Sequence, residues 1–237
     1  RGRRREVSVR VGLNRLARSG KLSLPNARGT IPRSKPSSAG ALEGLYRGEA
    51  KTVRGLGAVE LVPVTSRERE NHASWRRLMD ENHYLGCGPL CGAQMRYLVR
   101  CPEGLLGALA YSASARRLHD RDRFIEWSER ARRRNLPLVV CNSRFLLVPK
   151  IKNLGSHVLS LAVSRLASDW EERYGYRPVL LESFVDAGRF KGSSYRAANW
   201  IQVGSTAGRG RQDRKHEEEL GRKAVFLYPL EPSWREK

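Results

Sequence analysis

The sequence predicts an α/β fold, a mixed sheet flanked by helices, preceded by a small basic helical segment. Three observations predict it. Between residues 59 and 230, short apolar stretches that alternate with period two are interleaved with helical patterns. A hydrophobic content of 40% in 237 residues suffices for one core of ordinary size. Residues 1–55 hold 14 of the 45 Lys and Arg but 3 of the 24 Asp and Glu, which sets a basic arm apart from the rest. The expected organisation is a basic helical segment over 1–24, a basic flexible linker over 25–58 and an α/β core domain over 59–237.

Val7, Val11, Leu13, Leu16 and Leu22 recur at near-helical spacing, and Gly20 stands where a helix could end. The polar face of that helix carries Arg10, Arg15 and Arg18, which suits the remaining helix of a helix-turn-helix or winged-helix unit, or a solvated basic helix. Residues 25–58 contain Pro25, Pro32 and Pro36 with several Gly, Ser and basic residues, a composition that buries too little apolar area to offset ordering entropy. Val59 to Val64 alternates like a strand, and a helix is expected from about Ser66 to His83. Gln94–Arg100 and Gly104–Ser112 read as a hairpin, and 120–135 as one arginine-rich helix. The next strand, 136–149, is interrupted by Asn142-Ser143-Arg144, the pattern of a bulge that turns a polar group toward a site. A basic loop, 150–157, then opens an amphipathic helix with Val158, Leu159, Ala162, Leu166 and Trp170 on one face and Gly175 as its stop. A strand over 177–186, a short helix over 194–199, and strands over 200–204 and 225–230 complete the order.

The formal net charge is +21 and the pI about 10.7. Such a surplus attracts a polyanion, because neutralising phosphates releases condensed counterions. DNA, single-stranded or duplex, is the expected partner. A membrane is not, since no apolar run approaches the roughly 18 residues of a span. The chain opens on Arg1-Gly-Arg-Arg-Arg, without a methionine or the apolar stretch of a signal peptide, and is expected to be a cytoplasmic fragment of a longer protein. Cys87, Cys91, Cys101 and Cys141 lack the paired spacing of strong zinc sites and are expected as free thiols. A metal held by the first three with His83 is the alternative.

Several strings together carry a family resemblance: Glu81-Asn-His-Tyr-Leu-Gly86, Gly107-Ala-Leu-Ala-Tyr-Ser-Ala-Ser114, Asn142-Ser-Arg-Phe145, Tyr174-Gly-Tyr-Arg-Pro178, Leu181-Glu-Ser-Phe-Val-Asp186 and Tyr195 through Arg211. By these, residues 59–230 resemble the Druantia protein DruA family, found in antiphage systems and beside transposases. The resemblance implies a component of a defence or transposition system, with other proteins of that system as partners. The element order also resembles the GNAT acetyltransferase fold. That likeness implies an acetyl-CoA pyrophosphate at the loop before the long helix and a general-acid tyrosine at Tyr195. The loop Lys152-Asn-Leu-Gly-Ser-His157 lacks the expected glutamine or arginine followed by spaced glycines, so acetyl-CoA is not the expected ligand, and the loop could grip a nucleic-acid phosphate instead.

For chemistry, Glu182 and Asp186 share a strand face but lie roughly 13 Å apart at about 3.3 Å per residue, too far to share a metal. A two-metal nuclease would need a third carboxylate such as Glu81 or Asp213. A divalent metal therefore belongs only to a strand-cleaving reading, and no cofactor is assigned. A carboxylate paired with a buried arginine is the bland alternative for Glu182. His83 and His157 suit a general base or a phosphate contact as well as a structural role. Candidate catalytic residues are His83, Glu182, Asp186 and Tyr195. Candidate nucleic-acid contacts are Arg10, Arg15 and Arg18 in the arm, Arg144 in the interrupted strand, and Lys150, Lys152, Asn153 and His157 in the loop. Asn199 and Trp200 extend the set, Trp200 by stacking on a base or by packing alone. Arg209, Arg211 and Arg214 lie in a stretch free of apolar anchors that suits a phosphate backbone. If that assignment holds, Arg209→Ala with Arg211→Ala weakens DNA binding in a titration and lowers the slope of log affinity against log salt by about 1.4 to 1.8.

Overall fold

The computed structural model describes residues 16, 19–21, 44–65, 67–206 and 221–237. The chain falls into two compact units, Arg1–Ala39 and Gly40–Lys237. In the first, Gly20 adopts φ 70° and Lys21 N–H donates to the Leu16 carbonyl at 3.0 Å, the six-to-one bond that closes a helix C-terminus at the expected glycine. Arg10, Arg15 and Arg18 lie outside the described residues, as do Arg209, Arg211, Asp213 and Arg214.

The second unit is built of β1 (Glu60–Pro63), α1 (Arg69–Asn82), β2 (Gln94–Cys101), β3 (Gly104–Ala113), α2 (His119–Ile125), α3 (Glu129–Asn135) and β4 (Val139–Leu147). It continues with α4 (Leu154–Tyr174), β5 (Leu180–Asp186), α5 (Ser193–Ala197), β6 (Ile201–Ser205) and β7 (Lys223–Pro229). Ser66, the expected start of α1, lies outside the described residues. The seven strands form one sheet in the order β1-β2-β3-β4-β5-β7-β6, antiparallel except at β4–β5. This is the mixed α/β sheet that the alternation of patterns predicts.

Side chains of β3 alternate between two apolar layers, which is why its sequence reads as nearly continuous apolar residues. Leu106, Leu109 and Tyr111 pack under α4 with Val158, Leu159, Ala162, Leu166 and Trp170. Leu105, Ala108 and Ala110 pack under α1 with Trp75, Leu78 and Met79, and Trp75 Nε1 donates to the Leu109 carbonyl at 2.9 Å. Gly175, at φ 73°, ends α4 where the sequence places its stop.

Two expectations change. The helix expected over 120–135 is broken at Glu126, which takes φ 62°, and restarts at Ser128, whose Oγ accepts from Ala131 N–H. The break lets Phe124, Ile125 and Trp127 join a third apolar cluster with Val139, Leu180, Leu227 and Trp234, which outweighs the continuity of one helix. The expected linker over 25–58 does not stay free throughout. Residues 44–58 lie against the sheet: Gly44 and Tyr46 exchange backbone hydrogen bonds with Leu105, and Tyr46 and Leu56 are buried. These few apolar anchors are diluted by Gly and Arg neighbours, so averaged composition hides them.

Beneath β5 lies a fully buried ion pair. Arg121 Nη1 meets Glu182 Oε2 at 2.7 Å, and Glu182 Oε1 accepts from Ala115 N–H at 2.7 Å, tying the β3–α2 connection to the sheet. Burial pushes the Glu182 carboxyl up, and the Arg121 guanidinium pulls against it. Arg121→Met leaves that carboxylate buried without its counter-charge and should cost about 3–5 kcal/mol in urea unfolding, while Arg121→Met/Glu182→Leu should lie closer to the wild type.

Candidate nucleic-acid interface

β4 and β5 pair over four positions, from Val139↔Leu180 to Asn142↔Ser183, and then part. The cause is local. Ala110 faces Arg144 while Tyr111 faces Asn142, so Ser143 is an extra residue bulged out of β4. Its hydroxyl bonds to that of Ser112. At the vertex, the Tyr195 hydroxyl donates to Asn142 Oδ1 at 2.6 Å and accepts from Ser183 Oγ at 2.9 Å. Asn142 Nδ2 in turn reaches the carbonyls of Ala110 and Arg144. Burial holds the Tyr195 phenol above its ordinary range, so it stays protonated as the donor of this lock.

Beyond the vertex opens a cleft of about 1370 Å³. Its wall includes Arg116, Arg117, Arg144, Lys191, Arg222 and Lys223. Of these, Arg117 pairs with Glu129 at 3.4 Å, and the other five have no carboxylate within ion-pair distance among the described residues. Arg144 is half-buried, its Nε donating to the Gly86 carbonyl and its Nη1 to that of Ser143. Among the described residues two acids line the cleft, and both are engaged. Asp120, held down to about 2 by His119, Ser205 N–H and Arg123, bridges α2 to β6, and Asp186 accepts from Gly188 N–H with Arg189 at 3.5 Å. Gly204 at φ 155° permits that bridge, since a Cβ there would collide with the Asp120 carboxylate.

Of the four catalytic candidates, His83, Asp186 and Tyr195 line this cleft and Glu182 does not. Glu182 is the carboxylate of the buried pair with Arg121, which corrects its placement as a free acid or base. His83 Nδ1 accepts from Leu85 N–H at 3.1 Å, which leaves its proton on Nε2, and burial with Arg144 nearby lowers its pKa to about 4. No three His, Cys, Asp or Glu side chains among the described residues converge as a metal site, and the four cysteines carry no disulfide.

Of the expected nucleic-acid contacts, Arg144 lines the cleft, while Lys150, Lys152, Asn153, His157 and Asn199 do not. Trp200 is a correction: Asn199 at φ 61° turns the chain, and the indole is buried edge-on to Tyr195 at 5.1 Å, out of reach of a base. Arg116, Lys191, Arg222 and Lys223 escaped sequence reading because nothing in their spacing shows that they converge. The one available signal is Phe190, an aromatic set between Arg189 and Lys191 in a polar run.

At the first turn of α4, Gly155 lies so close to α5 that a Cβ there would collide with Ser194 Oγ, and Asn153 enters the helix at φ 65°.

A family model described as Druantia protein DruA matches residues 49–231. No curated protein matches. Among solved structures, the chain is similar to an aminoglycoside acetyltransferase AAC(6')-Ib in complex with coenzyme A, at 13% identity and a TM-score of 0.48 over 73% of this chain and 95% of that one. A probable GNAT-family acetyltransferase from Chromobacterium violaceum matches at 17% identity and a TM-score of 0.42, over 88% and 98%. An N-acetyltransferase from Staphylococcus aureus matches at 9% and 0.40, over 73% and 99%.

His83 gives a pH prediction. An unfolded chain takes up its proton near pH 6.5 and the folded chain only near 4, so its stability contribution is intact above 6.5 and is lost as pH falls toward 4. Urea midpoints measured from pH 7 to 4.5 should fall less steeply for His83→Asn, whose amide oxygen can keep the Leu85 bond without titrating. Parallel curves would contradict the assignment.

Proposed function

The chain belongs to the Druantia protein DruA family, and from that premise we propose that its α/β unit binds DNA as a component of an antiphage defence or mobile-element system. The observation that carries this reading is the cleft, where five cations that have no carboxylate partner among the described residues converge on one concave surface. Unpaired cations in a concavity focus positive potential, and each phosphate they neutralise releases counterions. The +21 net charge and the basic residues of 1–43 add attraction of the same sign. Among the described residues no helix is long and apolar enough to cross a membrane. Cleft size supports a polymer over a metabolite, because about 1370 Å³ exceeds the roughly 300–1,000 Å³ of ordinary small-molecule pockets. Other proteins of the same system are the further partners this reading implies.

The test is a salt titration. Arg116→Ala/Lys191→Ala/Arg222→Ala should weaken binding of a labelled oligonucleotide at least tenfold near 0.1 M salt and reduce the slope of log affinity against log salt by about two. All three side chains are exposed, so the fold should survive. Unchanged affinity and slope would overturn the placement of the interface in the cleft.

A further inference from the structure

We propose that the cleft takes an unpaired segment of DNA, with one base stacked on Phe190 at its rim. The inference rests on the DNA-binding reading above and narrows it to a strand state. Among the described residues five large hydrophobic side chains are exposed, Leu16, Tyr84, Leu85, Phe190 and Ile201, and three of them line this one cleft. Solvent-facing apolar groups occur singly on most surfaces, so their convergence beside unpaired cations calls for an occupant that is apolar and anionic at once.

The rim is ordered in layers. His83 stacks on Tyr84 with ring centroids 4.9 Å apart, the Arg189 guanidinium lies 5.0 Å from the Tyr84 centroid, and Phe190 sits 6.0 Å from the same ring. Tyr84 is thereby braced by a histidine and an arginine, while Phe190, 53% exposed, offers the free face. His83 remains neutral at physiological pH, so it can lie against Tyr84 without adding charge beside Arg144. Behind the rim, Arg144 and Lys191 are placed for the phosphates that flank a stacked base, and Ser143, Ser193 and Ser194 line the wall with hydroxyls.

A duplex cannot use this surface fully. Its base faces are already stacked on one another, and it presents phosphates and groove edges, so contact would set Tyr84, Leu85 and Phe190 against charge. An unpaired strand offers base faces and phosphates together, and aromatic stacking serves any base because each has a π face.

The experiment compares a fluorescein-labelled 15-nucleotide oligothymidine with a hairpin duplex carrying the same label, by anisotropy on the full chain. Wild type should bind the single strand at least tenfold tighter. Phe190→Ala should lose about tenfold for the single strand and change duplex binding less than twofold, and Phe190→Trp should keep the single-strand affinity. Equal binding of the two DNAs, or Phe190→Ala with unchanged single-strand affinity, would overturn the inference and leave the DNA reading standing; the second result would assign the rim to a protein partner. Absence of binding to either DNA would overturn both.

Discussion

The hydrogen bonds of the Tyr195 hydroxyl decide where the central sheet stops being a sheet. Asn142 and Ser183 are the last partners of the parallel β4–β5 pair, and Tyr195 clamps both from α5. Beyond them Ser143 adds one residue to β4, the two strands diverge, and backbone groups that would have paired are left to line a concavity. The clamp is neutral, buried and satisfied on every atom it uses, so it fixes geometry without placing charge in the core. α4 below and α1 above hold the strands on either side, and the cleft is what remains between two rigid walls.

Electrostatics then sets the character of that concavity. The fully buried carboxylate nearby, Glu182, is matched by the equally buried Arg121. Asp120 and Asp186 are each tied to arginines and backbone N–H groups. Among the described residues, the five cations without a carboxylate partner are left as the uncompensated charge of the cleft. Arg144 is the most telling, because burial lowers its pKa with no carboxylate among the described residues to offset the cost, which an anionic ligand would do.

Much of this was legible in the sequence, and the rest was hidden for identifiable reasons. Period-two and helical patterns located the strands, the long helix and its stop at Gly175, because those signals are local. The interruption Asn142-Ser143-Arg144 announced the bulge, and with it the cleft. Tyr195 was legible as a residue of consequence but not as a clamp, since its partners lie 12 and 53 residues away. Glu182 reads in sequence as a catalytic acid or, more readily, as a carboxylate paired with an arginine, but its partner Arg121, 61 positions distant, is visible only in the fold. Trp200 illustrates a different limit: a surface aromatic and a buried one have the same sequence, and only the left-handed turn at Asn199 separates them.

The most direct measurement is ultraviolet crosslinking of an oligonucleotide carrying 5-iodouracil, followed by peptide mass mapping of the adduct on the intact chain. If the cleft is the binding surface, the crosslink falls on Phe190 or Tyr84, or on residues 112–118 and 141–147 of the walls. Crosslinks confined to residues 1–43 and 207–220, with the cleft unlabelled, would contradict the account and make those two segments the whole of the interface.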